Sequence, residues 1–256
     1  MDYKDLFFTD SAPGDATRPA VLMLHGFFMD HRLFVHQEAS LRATHRVVAV
    51  DLPGFGKSVK PVEPFSLYDV VDALFKLMDS LDIERFTVMG MSMGGYLALR
   101  MALVHPDRIA SMVLISTQAG KDNPETVAGY MALRENWANE EARKAIIENL
   151  LPVIIGPFEE EVAFWRPVWL AYGPEAIGEP MNAMCTRDDI DVTGLTMPAL
   201  VIHGGDDHGI PIEAARKMAD DLPNARFVMV PGGCHACNLT HHDIVDKAVV
   251  EFLDVD

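Results

Sequence analysis

Gly90-Met91-Ser92-Met93-Gly94 is the stretch around which the rest of the sequence is organised. It has the pattern G-x-S-x-G and lies between an apolar run at Arg85–Met89 and a helix-like stretch at Tyr96–His105. A serine on a sharp strand-to-helix turn exposes its hydroxyl at the end of the strand, and the flanking glycines let the neighbouring backbone pack without a clash. The motif and its context therefore predict that Ser92 is a nucleophile.

A second segment supplies a backbone donor that such a nucleophile needs. The apolar run Ala20–Leu24 ends in His25-Gly26-Phe27, which predicts a strand followed by a tight exit turn. Acyl transfer places negative charge on a carbonyl oxygen, and the loss of one fixed amide donor to that oxygen costs about 3–4 kcal/mol of barrier. The backbone N–H groups of Phe27 and Met93 are the predicted pair of donors.

The acid and the base are expected on two loops near the carboxyl end of the chain. The apolar run Ala199–Ile202 leads into Gly204–Pro211, which contains Asp206 and Asp207. A later run, Phe227–Val230, leads into a glycine-rich loop that ends at His235. A carboxylate at a strand end can orient an imidazole that acts as general base. The order serine, aspartate, histidine along the chain is the one expected for a strand-turn-helix nucleophile.

In five segments the chain resembles the α/β-hydrolases: His25-Gly26-Phe27, Asp51–Ser58, Gly90–Gly95, Gly204–Pro211 and Gly233–Leu239. The family patterns G-x-x-D-x-x-x-P and G-H-x-x-x-x-E assign the acid to Asp207 and the base to His235, with Asp206 as the competing acid. Cys234 and Thr240 depart from the glycine and glutamate that the family often has there, at positions that do no chemistry. The resemblance implies an α/β fold with a mostly parallel, doubly wound sheet and an inserted helical cap.

The alternation of apolar runs and amphipathic stretches predicts how the chain is divided. Strands and helices alternate over residues 1–117 and 197–256, which are the predicted α/β-hydrolase core. Strand-like runs are missing from residues 118–196, where helix-forming stretches are interrupted by prolines. The resemblance implies that this segment is a helical cap over the carboxyl ends of the strands.

Large apolar side chains of the predicted cap are candidates for a substrate pocket. They are Trp137, Trp165, Trp169 and Met184, and three further methionines (Met91, Met93 and Met181) are candidate adaptable walls. The alternative is that these side chains form the core that holds the cap helices together.

Among serine members of the family, the chain is most similar to small carboxylesterases and 3-oxoadipate enol-lactonases. The resemblance implies hydrolysis of small esters or lactones through an acyl-enzyme on Ser92, without a cofactor. One alternative is a carbon–carbon bond hydrolase of meta-cleavage products, although such enzymes commonly carry asparagine where this chain has Met91. The others are a ligand-binding receptor without turnover and a haloperoxidase-type side activity.

Composition limits the partners and the compartment. The chain has 256 residues, 49% of them hydrophobic, and a net charge of −17, which argues against binding to nucleic acid or to an anionic membrane surface.

Met1–Asp5 lacks the basic end and apolar core of a signal peptide, and three cysteines suit a reducing compartment, so a cytoplasmic location is expected. Cys234 and Cys237 have the C-x-x-C spacing of zinc ligands, but a second ligand pair is missing, so no metal is predicted. The expected partner is a small molecule.

Overall fold

Seven strands form one sheet in a computed structural model of the chain, which describes residues 1–61 and 63–254. The strands are β1 (Phe8–Asp10), β2 (Ala20–Leu24), β3 (Arg46–Val50), β4 (Phe86–Met91), β5 (Ile109–Ile115), β6 (Ala199–Gly204) and β7 (Ala225–Val230). Their order in the sheet is β1-β3-β2-β4-β5-β6-β7. Only the pairing of β1 with β3 is antiparallel, which confirms the predicted mostly parallel sheet.

Helices connect the strands and cover them. They are α1 (Val35–Leu41), α2 (Leu67–Ser80), α3 (Met93–Val104), α4 (Pro124–Asn136), α5 (Glu140–Ile154), α6 (Glu159–Leu170), α7 (Pro174–Cys185), α8 (Ile212–Asp221), α9 (Cys237–Thr240) and α10 (His242–Leu253). Every residue of β2, β3, β4 and β6 is buried, as expected for parallel strands that are covered on both faces. None of the helices among the described residues is long and apolar enough to cross a membrane.

The start of α2 shows how local sequence sets a helix boundary. Ser66 is its N-cap: the serine side chain accepts a hydrogen bond from the Asp69 amide, and the Asp69 carboxylate accepts one from the Ser66 amide. This reciprocal capping satisfies two amides that would otherwise lack a partner at the helix start. Ser66 therefore fixes where α2 begins.

Residues 118–196, all of which the structure describes, contain α4 to α7 and no strand. Prolines do not end the helices here: α5 continues past Pro152, α6 past Pro167 and α7 past Pro180. Pro152 and Pro167 lie near the carboxyl ends of their helices. Few helical residues therefore follow the hydrogen bond that each proline cannot donate. The sequence pattern did not predict α7, and the limits of a separate cap remain a prediction.

The register of the sheet places the ends of several strands side by side. Leu24 of β2 pairs with Gly90 of β4, and Gly204 of β6 pairs with Val230 of β7. The segments that follow these strands therefore leave the sheet at one common edge. In open α/β sheets, the crevice outside the carboxyl ends of the strands is where ligands bind.

Gly94 sets how closely α3 approaches β2. A Cβ atom at Gly94 would overlap the carbonyl oxygen of Leu24, and one at Gly90 would overlap the carbonyl of Gly94 itself. The turn between β4 and α3 thus has no room for a side chain at either position. The exposed Gly129 of α4, by contrast, has no atom near the place where a Cβ would lie.

We expect Gly94→Ala to lower the free energy of unfolding by about 1–3 kcal/mol or more, because the new methyl group must push α3 away from β2. Gly129→Ala is the matched control, and it should be neutral or stabilising, because alanine favours a helix by about 1 kcal/mol over glycine. Denaturant unfolding of both variants measures the difference. Equal stability of the two variants would contradict the close approach.

Candidate active site

Ser92 lies on the turn between β4 and α3 in a conformation that few residues adopt. Its φ is +52° and its ψ is −115°, a region that is costly for a residue with a side chain. The surrounding backbone fixes it: the Ser92 amide donates to the Ile115 carbonyl at 2.9 Å, and the Ser92 carbonyl accepts from the Gly95 amide at 2.8 Å and from Thr117 Oγ1 at 2.9 Å. The hydroxyl is therefore held outside the sheet, at the cavity described below.

The structure brings together three residues that the sequence predicts to act together. His235 Nε2 lies 3.0 Å from Ser92 Oγ, and His235 Nδ1 lies 2.8 Å from Asp207 Oδ2 and 3.0 Å from Asp207 Oδ1. A carboxylate can only accept, so Nδ1 carries the proton and the lone pair of Nε2 faces the serine hydroxyl. This is the arrangement that allows an imidazole to remove the serine proton.

Asp207, rather than Asp206, contacts the histidine. The Asp207 carboxylate is fully buried and also accepts hydrogen bonds from the amides of Gly209 at 2.7 Å and Ile210 at 3.0 Å. Burial by itself would raise the pKa of Asp207, but the charge and hydrogen bond of His235, with smaller contributions from His203 and the Ile210 amide, hold this pKa below its usual value. Asp206 is exposed, and the carboxylate contacts of His235 Nδ1 are with Asp207.

His203 belongs to the same cluster of side chains. It is fully buried, its Nε2 lies 2.9 Å from the Ile210 carbonyl oxygen, and the same nitrogen lies 3.3 Å from Asp207 Oδ2. Burial lowers the pKa of His203, against the opposing effect of the Asp207 charge. Its spacing of four residues before Asp207, at the end of β6, is the signal that could have identified it as a neighbour of the acid.

The predicted backbone donors lie on either side of Ser92. Within the part of the chain that the structure describes, neither the Phe27 amide nor the Met93 amide donates a hydrogen bond to another protein group. The turn that carries Phe27 passes close to the serine, because a Cβ atom at Gly26 would lie 3.3 Å from Ser92 Cβ. Two free amides beside a nucleophile could bind a developing oxyanion.

His25 holds this turn in place. The ring is fully buried: its Nε2 accepts the Leu52 amide at 2.8 Å, and its Nδ1 lies 2.7 Å from the Gly26 carbonyl oxygen. Since Nε2 accepts, the proton is on Nδ1 and the ring is neutral. Burial lowers the pKa of His25, which keeps the ring in this form. His25 therefore has a structural role, because its two ring nitrogens link the turn after β2 to the Leu52 amide.

Ser92 and His235 open onto a cavity with about 660 Å³ of empty space, counting the part that opens to solvent. Its apolar walls are Phe27, Phe28, Met29, Met91, Leu133, Leu150, Ile154, Met181, Met184 and Ile210. Three of the four candidate methionines therefore line it, Met184 among them. Tyr96 and Tyr130 are the polar side chains that the sequence reasoning missed, although Tyr96 follows Ser92 by one helical turn.

The prediction that three tryptophans line the pocket is wrong. Trp137, Trp165 and Trp169 are fully buried and do not reach the cavity. The rings of Trp137 and Trp169 stack on Phe28, with centroids 4.9 Å and 5.3 Å away, and Trp137 Nε1 donates to the Tyr172 carbonyl at 2.8 Å. All three tryptophans belong to the hydrophobic core, where large aromatic rings bury much apolar area. Trp137 and Trp169 lie behind Phe28, which lines the cavity.

One group of possible metal ligands occurs outside this site. One ligand atom each of Asp30, His31 and Asp51 lies within 4.8 Å of the other two. Their oxygens already accept hydrogen bonds, however: Asp30 from Arg32, and Asp51 from His31 and the Lys57 amide. A guanidinium and an imidazole thus take the positions that a cation would need, and the group serves to hold the loops after β2 and β3.

Comparison with known sequences places the chain in a family. The profile of the alpha/beta hydrolase fold matches residues 19–148, and that of the TAP-like proteins matches residues 172–255. The chain belongs to the α/β-hydrolase fold family, a family of hydrolases, as the sequence motifs predict. The dihydrolipoyllysine-residue acetyltransferase component of the acetoin cleaving system of Pseudomonas putida is 30% identical over 250 residues, which cover 94% of this chain and 64% of that protein.

Two solved structures are similar over nearly the whole chain. A thermophilic esterase from Thermogutta terrifontis is 28% identical with a TM-score of 0.89, covering 97% of this chain and 93% of that one. The enol-lactonase from Burkholderia xenovorans LB400 is 26% identical with a TM-score of 0.88, covering 97% and 96%.

We expect Asp207→Asn to reduce kcat by about 10⁴, because the uncharged amide neither fixes the His235 tautomer nor balances the charge of the imidazolium. Asp206→Asn is the matched control, and its kcat should stay close to that of the native protein. Both are measured with p-nitrophenyl acetate, with circular dichroism to compare folding. A larger loss in Asp206→Asn than in Asp207→Asn would overturn the assignment of the acid.

The buried neutral His25 also predicts a pH dependence of stability. In the folded protein its pKa lies below the ordinary value of 6.5, which applies to the unfolded chain. Below pH 6.5 this histidine is therefore protonated to a greater extent in the unfolded chain than in the folded protein. The free energy of unfolding should therefore be highest above pH 6.5 and fall toward pH 5, with a contribution from this residue of at most about 1.4 kcal/mol per pH unit. His25→Gln should flatten the decline, whereas exposed His208→Gln should keep it. Identical slopes in the two variants would refute the role of His25.

Proposed function

We propose that the chain is a serine hydrolase that cleaves small carboxylic esters or lactones through an acyl-enzyme on Ser92. The observation that carries this proposal is the continuous hydrogen-bond relay from Asp207 through His235 to Ser92 Oγ at the wall of an apolar cavity. Membership of a hydrolase family and similarity to an esterase and an enol-lactonase support it.

In the first half-reaction, Ser92 Oγ forms a bond to the ester carbonyl carbon while its proton passes to His235 Nε2. The carbonyl π electrons move to oxygen, and the amides of Phe27 and Met93 donate hydrogen bonds to that oxyanion. When the tetrahedral intermediate collapses, the bond to the alkoxide breaks and His235 gives the proton to the leaving oxygen. Asp207 stabilises the imidazolium that exists between these two steps.

In the second half-reaction, water takes the place of the alcohol. His235 accepts a proton from the water as its oxygen attacks the acyl carbon, and collapse breaks the bond to Ser92 Oγ and returns the proton to it. A lactone follows the same route, except that its alcohol remains attached to the acid product. Every proton is transferred between His235 and a reacting oxygen, so the sequence is balanced without a cofactor.

We expect Ser92→Ala to remove hydrolysis of p-nitrophenyl esters from acetate to dodecanoate, with a change of less than about 1 kcal/mol in unfolding free energy, since the hydroxyl contributes no buried apolar area. The native protein should prefer short acyl chains. The measurement is steady-state kcat/KM beside denaturant unfolding of both proteins.

Three outcomes are informative. Activity that persists in folded Ser92→Ala would refute the nucleophile. Release of a single equivalent of p-nitrophenol, without turnover, would favour a ligand-binding protein over an enzyme. Cleavage of a vinylogous 1,5-diketone in the absence of ester turnover would favour carbon–carbon hydrolysis.

A further inference from the structure

Besides Ser92 and His235, two tyrosines line the mostly apolar cavity. Tyr96 lies on α3, one helical turn after Ser92, and Tyr130 lies on α4 in the segment 118–196. Tyr96 is only 3% exposed. Within residues 1–61 and 63–254, neither hydroxyl has a hydrogen-bond partner, whereas the hydroxyl of Tyr172 accepts a hydrogen bond from the Gly56 amide at 3.1 Å. A hydroxyl at the wall of a cavity that makes no hydrogen bond to the protein is free to bind a polar group of a ligand.

A buried ion pair fixes the ring of Tyr96 in this position. The Arg187 guanidinium lies 4.0 Å from the centroid of the Tyr96 ring. Arg187 also donates to Asp122 at 2.7 Å and to the carbonyl oxygens of Met184 at 3.0 Å and Gly120 at 3.1 Å. The pair therefore ties the ring on α3 to two segments of residues 118–196. Because Asp122 balances the charge of Arg187, the pair offers no free cation to the cavity.

Both hydroxyls remain protonated. Burial raises the pKa of Tyr130 to about 12 and also raises that of Tyr96, so each hydroxyl is a neutral donor near neutral pH. No arginine or lysine lines the cavity among the described residues. A substrate carboxylate there would lose its hydration without gaining a counter-ion, whereas a neutral carbonyl oxygen needs only a donor.

We propose that Tyr96 and Tyr130 form a subsite for a second, uncharged carbonyl oxygen of the substrate, so that the preferred substrates are neutral keto-esters or keto-lactones rather than esters of dicarboxylic acids. This inference rests on the proposed ester or lactone hydrolysis. It adds the polar group that selects among such substrates.

The test uses pairs of esters that differ by one carbonyl. Ethyl 4-oxopentanoate is compared with ethyl pentanoate for the acyl side, and 3-oxobutyl acetate with butyl acetate for the alcohol side. Monoethyl succinate is the anionic comparison. For each ester, kcat/KM is measured in the native protein, in Tyr96→Phe and in Tyr130→Phe. Tyr68→Phe is the matched control, because the Tyr68 hydroxyl donates to Asp188 at 2.9 Å outside the cavity.

In at least one pair, the keto-ester should be favoured by roughly three- to tenfold, the range that one neutral hydrogen bond supplies. Tyr96→Phe or Tyr130→Phe should bring this ratio close to one, and Tyr68→Phe should leave it unchanged. Equal rates within both pairs, a ratio unchanged in both cavity variants, or a preference for monoethyl succinate would overturn the subsite.

Binding separates this inference from the proposed function. The affinity of Ser92→Ala for ethyl 4-oxopentanoate, 3-oxobutyl acetate and their alkyl counterparts is measured by NMR titration, with and without Tyr96→Phe. A keto preference that Tyr96→Phe removes supports the subsite even if the native protein cleaves none of these esters, which would refute the hydrolysis alone. Alkyl esters that are cleaved without any keto preference in rate or binding would refute the subsite and leave the hydrolysis standing.

Discussion

The active site depends on a close approach between a helix and a strand. Ser92 holds a φ of +52° only because α3 begins directly against β2, and the contact of Gly94 with the Leu24 carbonyl leaves no space for a side chain. A strained residue persists where the surrounding structure over-determines it. Here the Ser92 carbonyl accepts from Thr117 Oγ1 and from the Gly95 amide of α3, and the Ser92 amide donates to the Ile115 carbonyl of β5. The hydroxyl is consequently positioned by rigid elements rather than by a loop.

The position of Asp207 depends on something else, namely the hydrogen bonds that satisfy its buried charge. Asp207 lies in the interior and accepts from His235, Gly209 and Ile210, so that removing it from water is offset by directed donors. The same donors oblige the carboxylate to remain ionised, which is the state that orients an imidazole. His203 Nε2 also lies 3.3 Å from this carboxylate. Burial lowers the pKa of His203, which favours the neutral form of its ring.

Sequence reasoning selected side chains that the structure brings together where they follow strand ends. Ser92, Asp207 and His235 each come directly after an apolar run, and the parallel register then brings such positions to one edge of the sheet. It failed where packing between helices decides. Trp165 is large and apolar, as many pocket residues are. Whether it faces a cavity depends on the angle at which α6 meets its neighbours, and the periodicity of the sequence does not give that angle. The same limit hid α7, whose Pro180 resembles a helix breaker although the helix continues past it.

In the proposed mechanism an ester and a lactone pass through the same kind of tetrahedral intermediate at Ser92, so selection among substrates must come from groups other than Ser92, His235 and Asp207. The similarity to both an esterase and an enol-lactonase reflects this shared chemistry and does not separate the two. In this chain Tyr96 and Tyr130 add two neutral donors to the mostly apolar cavity wall, and the Arg187 guanidinium that packs on the Tyr96 ring is already paired with Asp122. In the proposed subsite, discrimination would rest on hydrogen-bonding capacity more than on the size of the acyl group, because a site of neutral donors gains little from a charged substrate.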